Sequence, residues 1–162
     1  MAYPFKLEVE GGLPGLSIGP STTTPYSTPQ CVLYEQNPPA PLFDRIIRWD
    51  DQVWDVSFHW QIGGPVSDAL GPFNWLLNVY LLKLSGPGGA MVVPPTPTKV
   101  PYRVGTVGPD NYDINVQFKP GKEIPNLAPG MYELHTSIDN DSPAVLPITL
   151  FGDGPCMKFY KL

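Results

Sequence analysis

VWDVSFHWQI, residues 53–62, alternates strictly: Trp54, Val56, Phe58, Trp60 and Ile62 fall on one side, and Asp55, Ser57, His59 and Gln61 on the other. A period of two is that of a β-strand with one packed face and one wet face. Two indoles and a phenyl ring on one face need an opposing layer of similar breadth, which a second sheet or a helix supplies. The stretch therefore predicts a sandwich or barrel, and the fold expected of the whole chain is all-β, an antiparallel two-sheet β-sandwich, with Trp54 and Trp60 as structural core residues.

The flanking chain repeats the pattern. Tyr3, Phe5, Leu7 and Val9 alternate with Pro4, Lys6, Glu8 and Glu10 as a terminal strand. Residues 11–30 form a Gly/Pro/Ser/Thr-rich arm gripped only by Leu13, Leu16 and Ile18. Residues 1–30 are thus read as a strand and arm attached to a β-sandwich domain over 31–162, one globular domain in all. The strand is expected to dock in its own chain, with exchange into a neighbour as the alternative, because an unpaired edge accepts either.

Further strands are expected at Cys31–Glu35, at Tyr102–Val107, at Tyr112–Phe118, after Tyr132, over AVLPITLFG and over the terminal CMKFYKL, with GDGP separating the last two. Leu42–Trp49 reads as a strand or a helical turn. Residues 73–84 fit two periods. Phe73, Leu76, Leu77, Tyr80, Leu81 and Leu84 make a helical stripe, whereas Phe73, Trp75, Leu77, Val79 and Leu81 share one face of a strand. The strand is favoured, because Asn, Val, Tyr and Trp are mediocre helix formers in β surroundings. The total is about eight strands joined by turns, as the 22 prolines and 16 glycines suggest.

Charged residues make up only 15% of the chain, so its surface is neutral or partly covered by a partner. Ten Lys plus Arg against fifteen Asp plus Glu give a net charge of −5, the wrong sign for gripping phosphate backbones. Nucleic acid is not an expected partner. No apolar run is long enough to span a membrane, and MAYPFKLEVEGG lacks the basic start and apolar core of a signal peptide. The default expectation is therefore a cytoplasmic location. In a reducing compartment, two unpaired thiols are expected of Cys31 and Cys156 rather than a disulfide.

LAPGMY, residues 127–132, resembles the tyrosine corner of immunoglobulin-like and fibronectin type III-like Greek-key sandwiches. There the tyrosine hydroxyl bonds to main chain just upstream as a late strand begins. The resemblance covers Ile124 to about His135 and rests on Leu127, Pro129, Gly130 and Tyr132. It implies an immunoglobulin-like sandwich with Tyr132 in a structural role, and it implies no activity.

The motifs of nucleophilic, zinc and phosphate chemistry are missing from the sequence. His59 and His135 fall on polar strand faces, where solvated histidine is the ordinary case. Asp139 and Asp141 are weak metal candidates in an Asp-Asn-Asp turn. No cofactor and no catalytic residue are assigned, and the expectation is a protein that is not an enzyme. Low charge, a two-sided apolar strand and edge-capable termini point to a structural or protein-interaction module. It would self-associate into a homo-oligomer through Tyr3, Phe5, Leu7 and Val9, or through Met91, Val92 and Val93, which read first as an inward-packing edge strand and, in the sharper reading, as an apolar loop tip offered to a partner. The alternative is a carbohydrate-binding sandwich in which Trp49, Trp75 or Tyr102 stacks on a glycan.

Overall fold

Trp54–Gly63 is a strand in the computed structural model, its alternate residues Trp54, Val56, Phe58, Trp60 and Ile62 buried. The structure describes residues 2–35, 46–48, 52–84, 91–92, 97–103, 109–119 and 127–160. Among these, eleven strands occur in chain order: β1 (Ala2–Gly11), β2 (Ser17–Gly19), β3 (Gln30–Glu35), β4 (Ile46–Arg48), β5 (Trp54–Gly63), β6 (Asn74–Lys83), β7 (Met91–Val92), β8 (Thr98–Pro101), β9 (Asp110–Phe118), β10 (Gly130–Asn140) and β11 (Ile148–Tyr160). One 3-10 turn at Ser67–Ala69 is the single helical element described. No helix among the described residues is long and apolar enough to cross a membrane.

The strands form one hydrogen-bonded sheet in the order β2-β5-β3-β1-β11-β10-β6-β7. β9 is added on β5, β8 on β6 and β4 on β11. Pairing is antiparallel except between β4 and β11. The joint is β1: Ala2–Lys6 pairs with β3, whereas Leu7–Gly11 pairs with β11. Side chains from β5 meet those of β6 and β11, which are not its hydrogen-bonded neighbours, so the sheet curls and encloses a core. Trp60 stands edge-on to Trp75 at 5.7 Å, and Trp54 edge-on to Phe159 at 5.6 Å. Each indole also stacks within its own layer, Trp60 on Tyr112 at 4.8 Å and Trp54 on Phe118 at 4.1 Å. The two aromatic clusters sit six residues apart along β5, a separation of roughly 20 Å in an extended chain.

Residues 73–84 resolve to strand. Trp75, Leu77, Val79 and Leu81 are buried and the residues between them half-buried, so packing selects the period of two. Two stretches differ from the sequence expectation. A strand occurs at Thr98–Pro101, paired with Asn74–Leu77, and Tyr102 turns into the core; most of the strand expected at Tyr102–Val107 lies outside the described residues. The two terminal strands expected around GDGP are one, β11, because the break is absorbed as a bulge. Between Glu133 and His135 the partner advances from Cys156 to Asp153, one residue more than β10 does. Pro155 cannot donate to the ladder, and a bulge is where a sheet tolerates that.

The arm does not hang free. Ser17–Gly19 pairs with Gln61–Gly63, and Ser21 is buried. Thr23 Oγ1 donates to Asp113 Oδ1 at 2.7 Å, an oxygen that also accepts His59 Nδ1–H at 2.7 Å. Burial pulls the Asp113 carboxyl upward. Hydrogen bonds from His59, Thr23 and Ser21, with the charge of His59, outweigh it and hold the group below the ordinary carboxylate range. Such a group contributes stability that is complete above its ordinary pKa and is lost as pH falls through the lower folded value. As pH falls below about 4, the wild-type melting temperature is therefore expected to fall more steeply than that of Asp113→Asn. Parallel profiles would show that the clip contributes nothing.

Cys31 and Cys156 are unpaired, the first buried and the second exposed. Burial pushes the Cys31 thiol up, while its contact with Thr136 Oγ1 at 3.4 Å pulls the other way. It stays protonated and serves as packing between β3 and β10.

Candidate functional site

Along β10 the side chains of Glu133, His135, Ser137 and Asp139 leave the core face that Tyr132, Leu134, Thr136 and Ile138 occupy. The register sets His135 between Tyr80 of β6 and Asp153 of β11, and Ser137 between Asn78 and Phe151. These three strands together build a cleft of about 320 Å³ on the outer face, lined by Tyr80, His135, Thr136, Ser137, Asp139, Phe151, Gly152 and Asp153.

The cleft combines rings with fixed polar groups. Phe151 is 43% exposed, a large apolar side chain left in solvent, and Tyr80 is half-buried on the same face. His135 Nδ1 donates to Asp153 Oδ1 at 2.8 Å, and its Nε2 lies 3.6 Å from Glu133 Oε1. The imidazole is thus held by a carboxylate at Nδ1, while Nε2 is buried with no hydrogen-bond partner among the described residues. Asn78 Nδ2 donates to Ser137 Oγ and to Asp139 Oδ2, both at 3.2 Å, and Ser137 Oγ donates to Asp139 Oδ2 at 3.1 Å. Donors and acceptors pre-oriented beside two rings suit a small polar ligand with one apolar face. The Asp153 side chain is 83% exposed, which leaves acceptor capacity at the rim.

A second cleft, about 360 Å³, lies where β6 begins, between Pro72, Phe73, Asn74, Pro101, Tyr102, Asp141 and Ser142. Its carboxylate is already engaged: Asp141 accepts the main-chain N–H of Asn74 at 2.8 Å and its Nδ2 at 2.9 Å. Those bonds hold the Asp141 carboxyl below its ordinary range.

The residues picked from sequence are distributed differently. Trp75 and Tyr102 are corrected from sugar platforms to core. Trp75 is fully buried on the face that carries Leu77, Val79 and Leu81. Tyr102 is 6% exposed, its hydroxyl donating to Ser67 O at 2.7 Å and pushed up to about 12, mainly by burial. Trp49 and Val93 lie outside the described residues. Met91 and Val92 form a short strand on Leu81 and Leu82 rather than a loop tip. Tyr3 and Phe5 pack partly against the core, Leu7 is buried, and only Val9 is exposed, because β1 pairs within its own chain. Asp139 and Asp141 accept from different asparagines, Asn78 and Asn74. No group of three metal-ligating side chains occurs among the described residues. Tyr132 is buried and donates to Ala128 O at 2.7 Å.

The cleft residues missed from sequence were Tyr80, Thr136, Ser137, Phe151, Gly152 and Asp153. A signal for Phe151 existed: Ile148 and Leu150 define an inward face in ITLF, which leaves Phe151 outward. Nothing in the sequence paired it with Tyr80.

No family model matches the chain, and no curated protein matches it. Among solved structures it is similar to the β-glucosidase from Listeria innocua in complex with gluconolactone, at TM-score 0.40 and 14% identity, over 85% of this chain and 17% of that one. A mutant of that enzyme in complex with laminaribiose gives TM-score 0.39 and 14% identity, over 85% and 17%. The chain thus spans about a sixth of the length of the enzymes it is similar to.

Proposed function

We propose that this chain is a non-catalytic binding module on an immunoglobulin-like β-sandwich, and that its ligand is a carbohydrate seated in the outer-face cleft between Tyr80 and Phe151. The sandwich reading draws support from β1, which passes from one group of strands to the other, and from the Trp60–Trp75 and Trp54–Phe159 contacts across the core. The Tyr132 hydrogen bond to Ala128 is the one a tyrosine corner makes.

One observation carries the ligand reading: exposed Phe151 borders the same cleft as the His135–Asp153 pair and the Asn78–Ser137–Asp139 network. A sugar ring offers an apolar face to an aromatic side chain and hydroxyls to fixed donors and acceptors. The aromatic platform of the carbohydrate hypothesis thereby moves from Trp75 and Tyr102 to Phe151 and Tyr80.

A glycan array identifies the ligand and calorimetry measures it. Phe151→Ala is expected to weaken binding at least tenfold, about 1.4 kcal/mol, while the melting temperature stays within a few degrees of wild type. A silent array, or full affinity in Phe151→Ala, would remove the glycan from this face.

A further inference from the structure

We propose that two copies of this chain associate edge to edge through β9, antiparallel about a two-fold axis at Ile114, so that the sheet continues from one protomer into the other. The proposal is independent of the glycan reading, since β9 lies on β5 and the cleft on β6, β10 and β11.

Trp54–Ile62 of β5 pairs with all nine residues of β9 without a register shift. β3 pairs with Trp54–His59 and β2 with Gln61–Gly63, so both share the opposite side of β5. Among the described residues β9 is therefore an outermost strand, with no described strand on its other side. Sheet edges normally carry devices against pairing: short length, lysine, proline or a bulge. The edge along β6 has them, since β7 has two residues and β8 four, with Lys99 and Pro101 in the latter. β9, DNYDINVQF, has none of them: it is long and regular, and contains no proline and no basic residue.

The strand is also complementary to itself. Its midpoint is Ile114. An antiparallel two-fold there opposes Ile114 to Ile114, Asp113 to Asn115, Tyr112 to Val116 and Asn111 to Gln117. No like charges meet, and core-side residues face core-side residues throughout, as a sheet register requires. Ile114 and Val116 are half-exposed at this edge although they pack on the core, and a second copy would cover them. Arg103 donates to the Asn111 carbonyl at 2.5 Å, which leaves that oxygen a second lone pair. A two-fold contact of this kind closes on itself and yields a dimer rather than a filament.

Light scattering across a concentration series is expected to show a mass rising to twice the 17.8 kDa of the chain. Ile114→Lys and Ile114→Glu, each alone, place like charges opposite one another and are expected to be monomers with unchanged far-ultraviolet circular dichroism. Mixed in equal amounts they are expected to restore the dimer. A wild type that is monomeric at every concentration, or variants that dimerise separately as well as mixed, would overturn the proposal. Amide exchange needs no substitution: residues 112–118 are expected to slow as wild-type concentration rises while residues 98–101 do not. Rates independent of concentration in both segments would overturn it equally.

Discussion

Trp60→Ala is expected to cost about 3–5 kcal/mol, a large share of the roughly 5–15 kcal/mol that holds a domain of this size folded. Trp60 is fully buried. It stacks on Tyr112 at an interplanar angle of 8° and meets Trp75 edge-on at 82°, so its removal empties the contact between β5 and β6 and strips both neighbours of a ring. β5 and β6 are hydrogen-bonded on both sides and cannot collapse into the space. In thermal melts the loss corresponds to roughly 6–20 °C. The indole nitrogen is buried with no hydrogen-bond partner among the described residues, so Trp60→Phe deletes no such bond and isolates packing. That variant is expected to cost less than half as much as alanine. Equal losses in the two would show that a phenyl ring recovers none of the packing and would overturn this account.

Gly11→Ala is the second large effect, and its origin is backbone rather than core. Gly11 closes β1 at φ +83°, and a Cβ there would lie 1.9 Å from the carbonyl oxygen of Pro147. The left-handed conformation alone costs an L-residue about 1–2 kcal/mol. The overlap is with main chain, which no rotamer change relieves, so β1 must pull away from the start of β11, where Gly11 pairs with Ile148. A total loss of about 3 kcal/mol or more is expected in denaturant titration. Gly12→Ala is the control one residue on, with open space around the added carbon, and is expected to stay within about 0.5 kcal/mol. Similar losses at both positions would show that a general loop effect, not the Pro147 contact, is at work.

The architecture was legible where one face of a strand is apolar and the other polar, because periodicity alone then decides. VWDVSFHWQI and the strand before DNDSP are of this kind. In residues 73–84 two periods competed, and packing against Trp60 and Leu134 selected one. At GDGP the signal misled, since glycine and proline mark a bulge within a strand as readily as a turn between two strands. The cleft was not legible. Tyr80, His135 and Phe151 come from three strands, and only the pairing register brings them together. Trp75 and Tyr102 were chosen as platforms for their chemistry, but a large aromatic ring is equally the best core residue, and its strand face decides which it becomes.

The split pairing of β1 bears on how the chain reaches this state. Leu7 and Gly152 are neighbours in the sheet although nearly the whole described sequence separates them, and β3, paired with β5, and the start of β11, paired with β10, each have a second side to fill that β1 takes. Contacts this distant lower the folding rate, because the closure entropy is spent before they form. The Leu7–Gly11 half of β1 therefore stays unmatched until β11 is in place, whereas the Ala2–Lys6 half needs only Gln30–Tyr34, so the two halves of one strand are secured by contacts of very different reach.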